Sequence, residues 1–288
     1  MTLKKIGDNF TEQGWSRLRN RLEHDGLLSG QEEEKSGYTI FMSRAVKIAI
    51  SVAAILCICF VSVWIFRGTD SSNTDTFVLE NGQGANTLVS MLEDGSVVYL
   101  SEQSLLECPN IFQPDKREVV LNGDAFFEIS KNKERPFFIN TEQVVIEVLG
   151  TAFNVNSKGN SSFSLSVRNG EVKVILKKTG QAVYVKAGEK TYLKSGYLQL
   201  SKDNTGKFDD YMKQIHFKDE RLADIIQIIN MNSDSVRLTV MPDLSDRLLT
   251  VSFLDNTPET MAKLICLALN LKYTRQDNNI ILISREEK

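Results

Sequence analysis

VVIEVLGTAFNVNSKGNSSFSLSVRNGEVKVIL, residues 144–176, decides how this chain is read. It contains four short runs, VVIEVL, AFNV, FSLSV and EVKVIL, in which Val, Ile, Phe and Leu alternate with polar residues. Alternation with period two buries one face of a strand, and β-branched and aromatic side chains suit that pleated surface. Asn169-Gly170 between the last two runs supplies the positive φ that a tight hairpin needs. The stretch is therefore all β.

The same rhythm extends outward to residues 77–200. TLVSML, SVVYL, REVVL, AFFEIS and PFFIN precede it, AVYVK follows it, and Asp94-Gly95, Asn122-Gly123 and Ala187-Gly188 mark further turns. A repeat of about ten residues fits a sandwich, a barrel or a stacked β-roll, and periodicity does not choose among them. After a polar break at residues 201–207 the pattern changes, and residues 207–288 read as a small α+β domain of two βαβ-like halves. The first half has a strand ending at Phe217, a helical stripe of Leu222, Ile225, Ile226 and Ile229, and a strand over 236–240. The second has a strand over 250–253, the stripe Met261, Leu264, Ile265 and Ala268, each 39 positions on from its counterpart, and a strand over 271–274. Thr257 and Pro258 form a helix start signal, and 280–284 reads as a closing strand.

Upstream, residues 48–66 (IAISVAAILCICFVSVWIF) are nineteen positions without a charge. As a helix at about 1.5 Å per residue they match a bilayer core of about 30 Å, which predicts one transmembrane helix. Arg44 and Lys47 before it and Arg67 after it, with Trp64 near its far end, are the expected membrane anchors, and the excess of basic residues on the first side places the N-terminus in the cytoplasm. Residues 67–76 read as a polar linker. The tail, residues 1–47, carries one expected helix over 9–27, with Phe10, Trp15, Leu18 and Leu22 near one face. That stripe suits either lipid or a groove on a cytoplasmic protein partner.

Much chemistry is disfavoured. A net charge of −3 without clustered Lys and Arg argues against direct nucleic-acid binding. Two histidines, His24 and His216, leave no zinc site or Ser-His-Asp triad, and no cofactor is implied. The glycines of NGQGANT, residues 81–87, read as a turn because no helix and no Lys follow. Cys108 and Cys266 are expected as free thiols. Gly150-Thr151 admits two readings: a tight bend between strands, or a self-cleavage site at which the Thr hydroxyl attacks the Gly carbonyl and shifts the acyl group from nitrogen to oxygen.

Asp94-Gly95-Ser96 with Val98 and Leu100, Ser104-Leu105, Arg117 with Val119 and Leu121, Gly123 with Ala125 and Phe127, Arg135-Pro136-Phe137, and Val148-Leu149-Gly150-Thr151 with Phe153 and Val155 occur in that order. In this succession the chain resembles the FecR-like transmembrane anti-sigma factors of the iron-dicitrate-sensor type, with Ser101 where the family often has Asn. The C-terminal domain is similar to the small α+β domain that closes many such proteins, and to the signalling domain of outer-membrane receptors. The resemblance implies a single-pass inner-membrane regulator with its C-terminal region in the periplasm. It would relay nutrient binding at a TonB-dependent outer-membrane transporter to an extracytoplasmic-function sigma factor. The alternative is a membrane-tethered periplasmic adaptor without sigma-factor control. Gly150-Thr151 aligns with the place where some relatives cleave themselves; otherwise no enzyme is implied. Where relatives carry several helices in the tail, one is expected here. Residues 207–288 are expected to meet the transporter's signalling domain by adding a strand to an open sheet edge.

Overall fold

A computed structural model of the chain describes residues 7–25, 57, 75–159, 162–203, 207–233, 236–254, 257–277 and 279–284. The chain divides into two compact units, Met1–Ser71 and Ser72–Lys288. In the smaller unit, α1 (Gly7–His24) is amphipathic, with Arg21 and His24 in its last turn where the helix dipole favours basic side chains.

The expected membrane span must be corrected. Among the described residues no helix is long and apolar enough to cross a membrane. A helical span needs about 20 apolar residues to cross about 30 Å of hydrocarbon, which offers the backbone no hydrogen-bond partner outside the helix. The helix α1 has 18 residues and exposes Arg17, Arg19 and Arg21, and the two helices of the larger unit have 10 and 11 residues. The single-pass inner-membrane placement, with a periplasmic C-terminal region, is overturned with it. Of residues 48–66 the structure describes Cys57 alone, which is exposed. Arg44, Lys47, Trp64 and Arg67 lie outside the described residues.

The larger unit begins with thirteen strands: β1 (Thr76–Asn81), β2 (Thr87–Met91), β3 (Val97–Leu100), β4 (Ser104–Pro109), β5 (Arg117–Glu128), β6 (Phe137–Asn140), β7 (Val144–Val148), β8 (Ala152–Ser157), β9 (Ser164–Asn169), β10 (Glu171–Leu176), β11 (Ala182–Lys186), β12 (Glu189–Lys194) and β13 (Tyr197–Lys202). They form two layers joined through β5, a nearly closed, barrel-like arrangement. The first layer runs β1-β4-β5-β6-β7-β10-β11 and the second runs β13-β12-β9-β8-β5-β3-β2. The inward residues of both layers, among them Leu106, Leu121, Ile139, Ile146, Phe153, Leu165 and Val174, make one core.

Asn122-Gly123, expected as a turn, is instead the bend inside one 12-residue strand. Before it β5 pairs with β4 and β6 in the first layer; after it β5 pairs with β3 and β8 in the second. Gly123 has φ +124°, and a Cβ there would lie 2.3 Å from Ser104 Oγ, so only glycine lets the strand turn so close to its neighbour. Ser104 Oγ accepts a hydrogen bond from Asp124 N at 2.8 Å, which secures the bend.

The second layer does not stop at β2. Strand β14 (Gln214–Arg221) pairs with β2 in parallel, through Ile215 with Thr87 and His216 with Leu88, and β16 (Leu248–Leu254) pairs with β14 antiparallel. The helices α2 (Leu222–Met231) and α3 (Pro258–Ala268) lead into β15 (Arg237–Val240) and β17 (Leu271–Gln276), which flank β18 (Asn279–Ser284) in a three-stranded sheet. The two βαβ-like halves thus interlock: their first strands pair with each other, and their last strands share one partner.

The helix starts differ in chemistry. Thr257 caps α3 through Thr260 N, with Pro258 in the first turn, as the sequence predicts. No side chain caps α2; carbonyls of Arg247 and Ser245 accept from Leu222 N and Ala223 N instead. All four expected stripe residues of α2 are buried. In α3 the buried residues are Ala262, Ile265 and Cys266, while Leu264 and Ala268 are exposed. The helices are not equivalent: α2 packs on both β14 and β15, whereas α3 packs mainly on the three-stranded sheet.

Candidate functional sites

Gly150-Thr151 is the hinge between β7 and β8. Asn132 N donates to Leu149 O at 2.8 Å and Ile129 N donates to Thr151 O at 2.9 Å, so the bend is strapped to the segment that follows β5. Gly150 has φ +150°, and a Cβ on it would lie 2.6 Å from Lys131 Cα; a Cβ on Gly170 would lie 2.6 Å from Thr151 Cγ2. Both glycines are demanded by close approach, which accounts for the bend. The arrangement adds something the sequence does not show: Thr151 Oγ1 is buried and makes no hydrogen bond within the protein. A buried hydroxyl normally finds a partner, so this nucleophile is unengaged beside a glycine carbonyl.

The expected sigma-factor contacts lie on α1. Trp15 is 71% exposed and Leu18 48%, while Leu22 is partly buried. Their spacing of three and four residues puts them on one helix face. The side chain of Phe10 lies outside the described residues.

The motif residues of the β domain converge on a structural knot. Arg117, 1% exposed, donates from Nη1 to Asp94 Oδ2 at 2.5 Å and to Ser130 O at 2.9 Å, and from Nε to Arg135 O at 2.8 Å. Its guanidinium carbon lies 5.3 Å from the Phe137 ring centroid. Ser96 Oγ donates to Asp94 Oδ2 and accepts from Ser130 N. Removing one member of such a buried ion pair strands the other charge, a loss of about 3–5 kcal/mol. The knot holds β5 against the Arg135-Pro136-Phe137 segment and offers no open face. Cys108 lies in the adjoining core, where burial pushes its thiol up to about 12 and makes it inert; Cys108 and Cys266 are free, as expected. His216 Nδ1 pairs with Ser252 Oγ at 2.9 Å, a strand-surface contact. Gly84, in a turn with φ +70°, donates from N to Glu102 Oε2 at 2.6 Å.

One concavity among the described residues was missed by sequence reasoning. A cleft of about 800 Å³ lies on the outer face of the second layer, over β8, β9 and β12. Its floor includes Asn154, Asn156, Ser164 and Ser166, and Asp124 and Tyr211 stand at one end. Asp124 accepts from Asn156 Nδ2 at 2.9 Å and from Tyr211 Oη, so β5, β8 and the 3₁₀ turn Lys207–Met212 meet there. Burial, and then the Asp124 carboxylate, raise the Tyr211 phenol well above its ordinary value, so it stays a donor. The usable signal was the kind of polar residue: FNVNS and SFSLS present Asn and Ser outward where exposed strands often carry Lys or Glu.

An all-β domain of two layers sharing a bent strand, tied by a buried Asp-Arg knot, is the class that these elements define. Residues 78–173, from β1 into β10, match the family described as FecR protein, the family that the motifs of this domain resemble. No curated protein matches the chain. Two crystal structures of a candidate anti-sigma factor from Parabacteroides distasonis ATCC 8503, at 2.50 Å and 1.65 Å resolution, are similar over 74% and 73% of this chain and 100% of theirs, at 20% and 21% identity, each with a TM-score of 0.45.

Proposed function

We propose that this protein is a regulator of anti-sigma type, in which α1 meets an extracytoplasmic-function sigma factor and the C-terminal half of the larger unit meets the signalling domain of a TonB-dependent outer-membrane transporter. The FecR match over residues 78–173 is the observation that carries this reading. The exposed Trp15 and Leu18 support the first contact, because a helix of this length leaves its apolar stripe for a partner. The second is supported by three strands, β15, β16 and β17, that each pair on one side only among the described residues. Affinity purification of the full chain through a C-terminal tag, with partners identified by mass spectrometry, tests both. A sigma factor lost on changing Trp15 and Leu18 to Ala is the expected result. A transporter without any sigma factor favours the adaptor, a protein that holds a transporter without controlling transcription.

Self-cleavage at Gly150-Thr151 is a second activity, favoured by the unengaged Thr151 hydroxyl. Oγ1 attacks the Gly150 carbonyl carbon, the C–N bond breaks as the Thr151 nitrogen takes the proton, and water then divides the ester into a carboxylate and a free hydroxyl. Two fragments from the purified protein, absent in Thr151→Ala, are expected; intact wild-type chain after prolonged incubation excludes the reaction.

A further inference from the structure

We propose that the open cleft on the second layer is a binding site for a neutral oligosaccharide lying across the strands. The registers of β5, β8, β9, β12 and β13 place its side chains in two rows on one face. Asp124, Asn156, Ser164 and Tyr192 are successive cross-strand neighbours in the first row, and Asn154, Ser166, Lys190 and Ser201 in the second. Neighbouring strands are about 4.8 Å apart, so each row offers a polar group at intervals close to the advance of one pyranose ring along an extended chain. The four members of a row span about 14 Å, which is room for several rings.

The chemistry of the rows selects the ligand class. Sugar hydroxyls both donate and accept, as do Ser, Asn and Tyr side chains. Asp124 is held in place by Asn156 and Tyr211, and an ionised carboxylate with two bonds made still has lone pairs for adjacent hydroxyls of a sugar ring. Tyr192, whose Oη faces Gln199 Oε1 at 3.4 Å, supplies a partly exposed ring as a platform for the apolar face of a pyranose. Serines at the centre, with Asn on one side and Tyr or Lys on the other, make a trough rather than a flat sheet. Ser201 Oγ in the second row makes no hydrogen bond within the protein. Charges balance, with Lys190 and Lys202 against Asp124 and Asp210, so neither a polyanion nor a polycation is selected. A cleft of about 800 Å³ is also in the size range of built small-molecule sites, about 300–1,000 Å³.

The site is distinct from the contacts assigned to α1 and to the free strand edges, so its failure leaves those assignments untouched. Titration calorimetry of the full chain with cellotetraose, chitotetraose and glucose tests it. One of the tetrasaccharides is expected to bind at least about tenfold more tightly than glucose, because several rings engage at once. Ser164→Tyr, which fills the trough from its surface, and Tyr192→Ala, which removes the platform, should each weaken that binding about tenfold or more while leaving thermal unfolding unchanged. No heat from either tetrasaccharide at millimolar concentration overturns the proposal, and so does binding that both variants retain in full.

Discussion

One row of side chains crosses the outer face of the second layer through seven strands: Val89, Tyr99, Phe126, Asn154, Ser166, Lys190 and Ser201. Its first three members are buried in a second core with Tyr211, Ile215, Phe217 and the helices α2 and α3; its last four line an open cleft. The backbone is the same kind of pleated sheet throughout. What changes between Phe126 and Asn154 is the side chain, and with it the free energy of covering the face. Tyr99, Phe208 and Tyr211 pack on Phe126 with ring centroids 5.5–5.7 Å apart, whereas covering Asn and Ser would strip water from groups that need partners. The C-terminal half therefore settles where the face is apolar and stops where it becomes polar.

The sharpest way to break the contrast is Phe126→Ala. The ring is 1% exposed and lies at the join of both halves, so its loss should cost about 3–5 kcal/mol in chemical denaturation. A cost under about 1 kcal/mol would mean that the second core does not depend on this face. Gly123→Ala comes next. It removes no apolar side chain but puts a Cβ 2.6 Å from Ser104 Cα at a strained φ, and should cost about 1–3 kcal/mol by disturbing the bend that carries β5 from one layer to the other.

A pH test reads the seam itself. Glu220 accepts from Met91 N at 3.1 Å, and Glu128 accepts from Tyr99 Oη at 3.0 Å; burial, the largest cause in each case, raises both carboxyls above their ordinary value. A carboxyl raised on folding contributes stability that is fully present below the unfolded value of about 4.3 and is lost as pH rises through the folded value. Glu220→Gln keeps an acceptor for Met91 N and removes the buried charge. Its melting temperature should match or exceed the wild type near neutral pH, and its dependence on pH in the acid range should be flatter. A variant whose melting curve tracks the wild type at every pH would show that Glu220 does not titrate with folding. The smallest effect belongs to the open half: Ser166→Ala should change stability by no more than about 0.5 kcal/mol, and a larger loss would mean that the polar rows carry structural weight.

The strands over 144–176 were legible because one face of each meets the core, so that alternation and burial coincide: Val144, Ile146 and Val148 are inward, as are Phe153, Val155, Leu165 and Val167. Strand β1, strand β4 and the hairpin of β12 and β13 were not anticipated: in TFVLEN and SLLECP adjacent apolar residues hide the alternation that burial shows, and Glu189–Lys194 buries one side chain. The repeat in the C-terminal half was visible, yet the second stripe was misplaced at Leu264 and Ala268, because the number of layers a helix touches is set by its surroundings. Of the candidate sites, Gly150-Thr151 and the α1 stripe were named from residue type and spacing. The cleft was not, since its members come from six strands and a turn.

Residue pattern alone identifies strands among the runs between residues 87 and 186, the two helices that alternate with strands after them, Thr257 and Pro258 as the start of the second of these, and the FecR resemblance over residues 78–173. These are local matters: period, cap and turn chemistry act within a few residues of one another. That β5 passes through Gly123 from one layer to the other, that β14 joins β2, and that one face is half core and half cleft emerge only in the folded chain. Those outcomes depend on which strands become neighbours, and pairing between segments 129 residues apart, as for Met91 and Glu220, is a property of the packed chain that no local pattern contains.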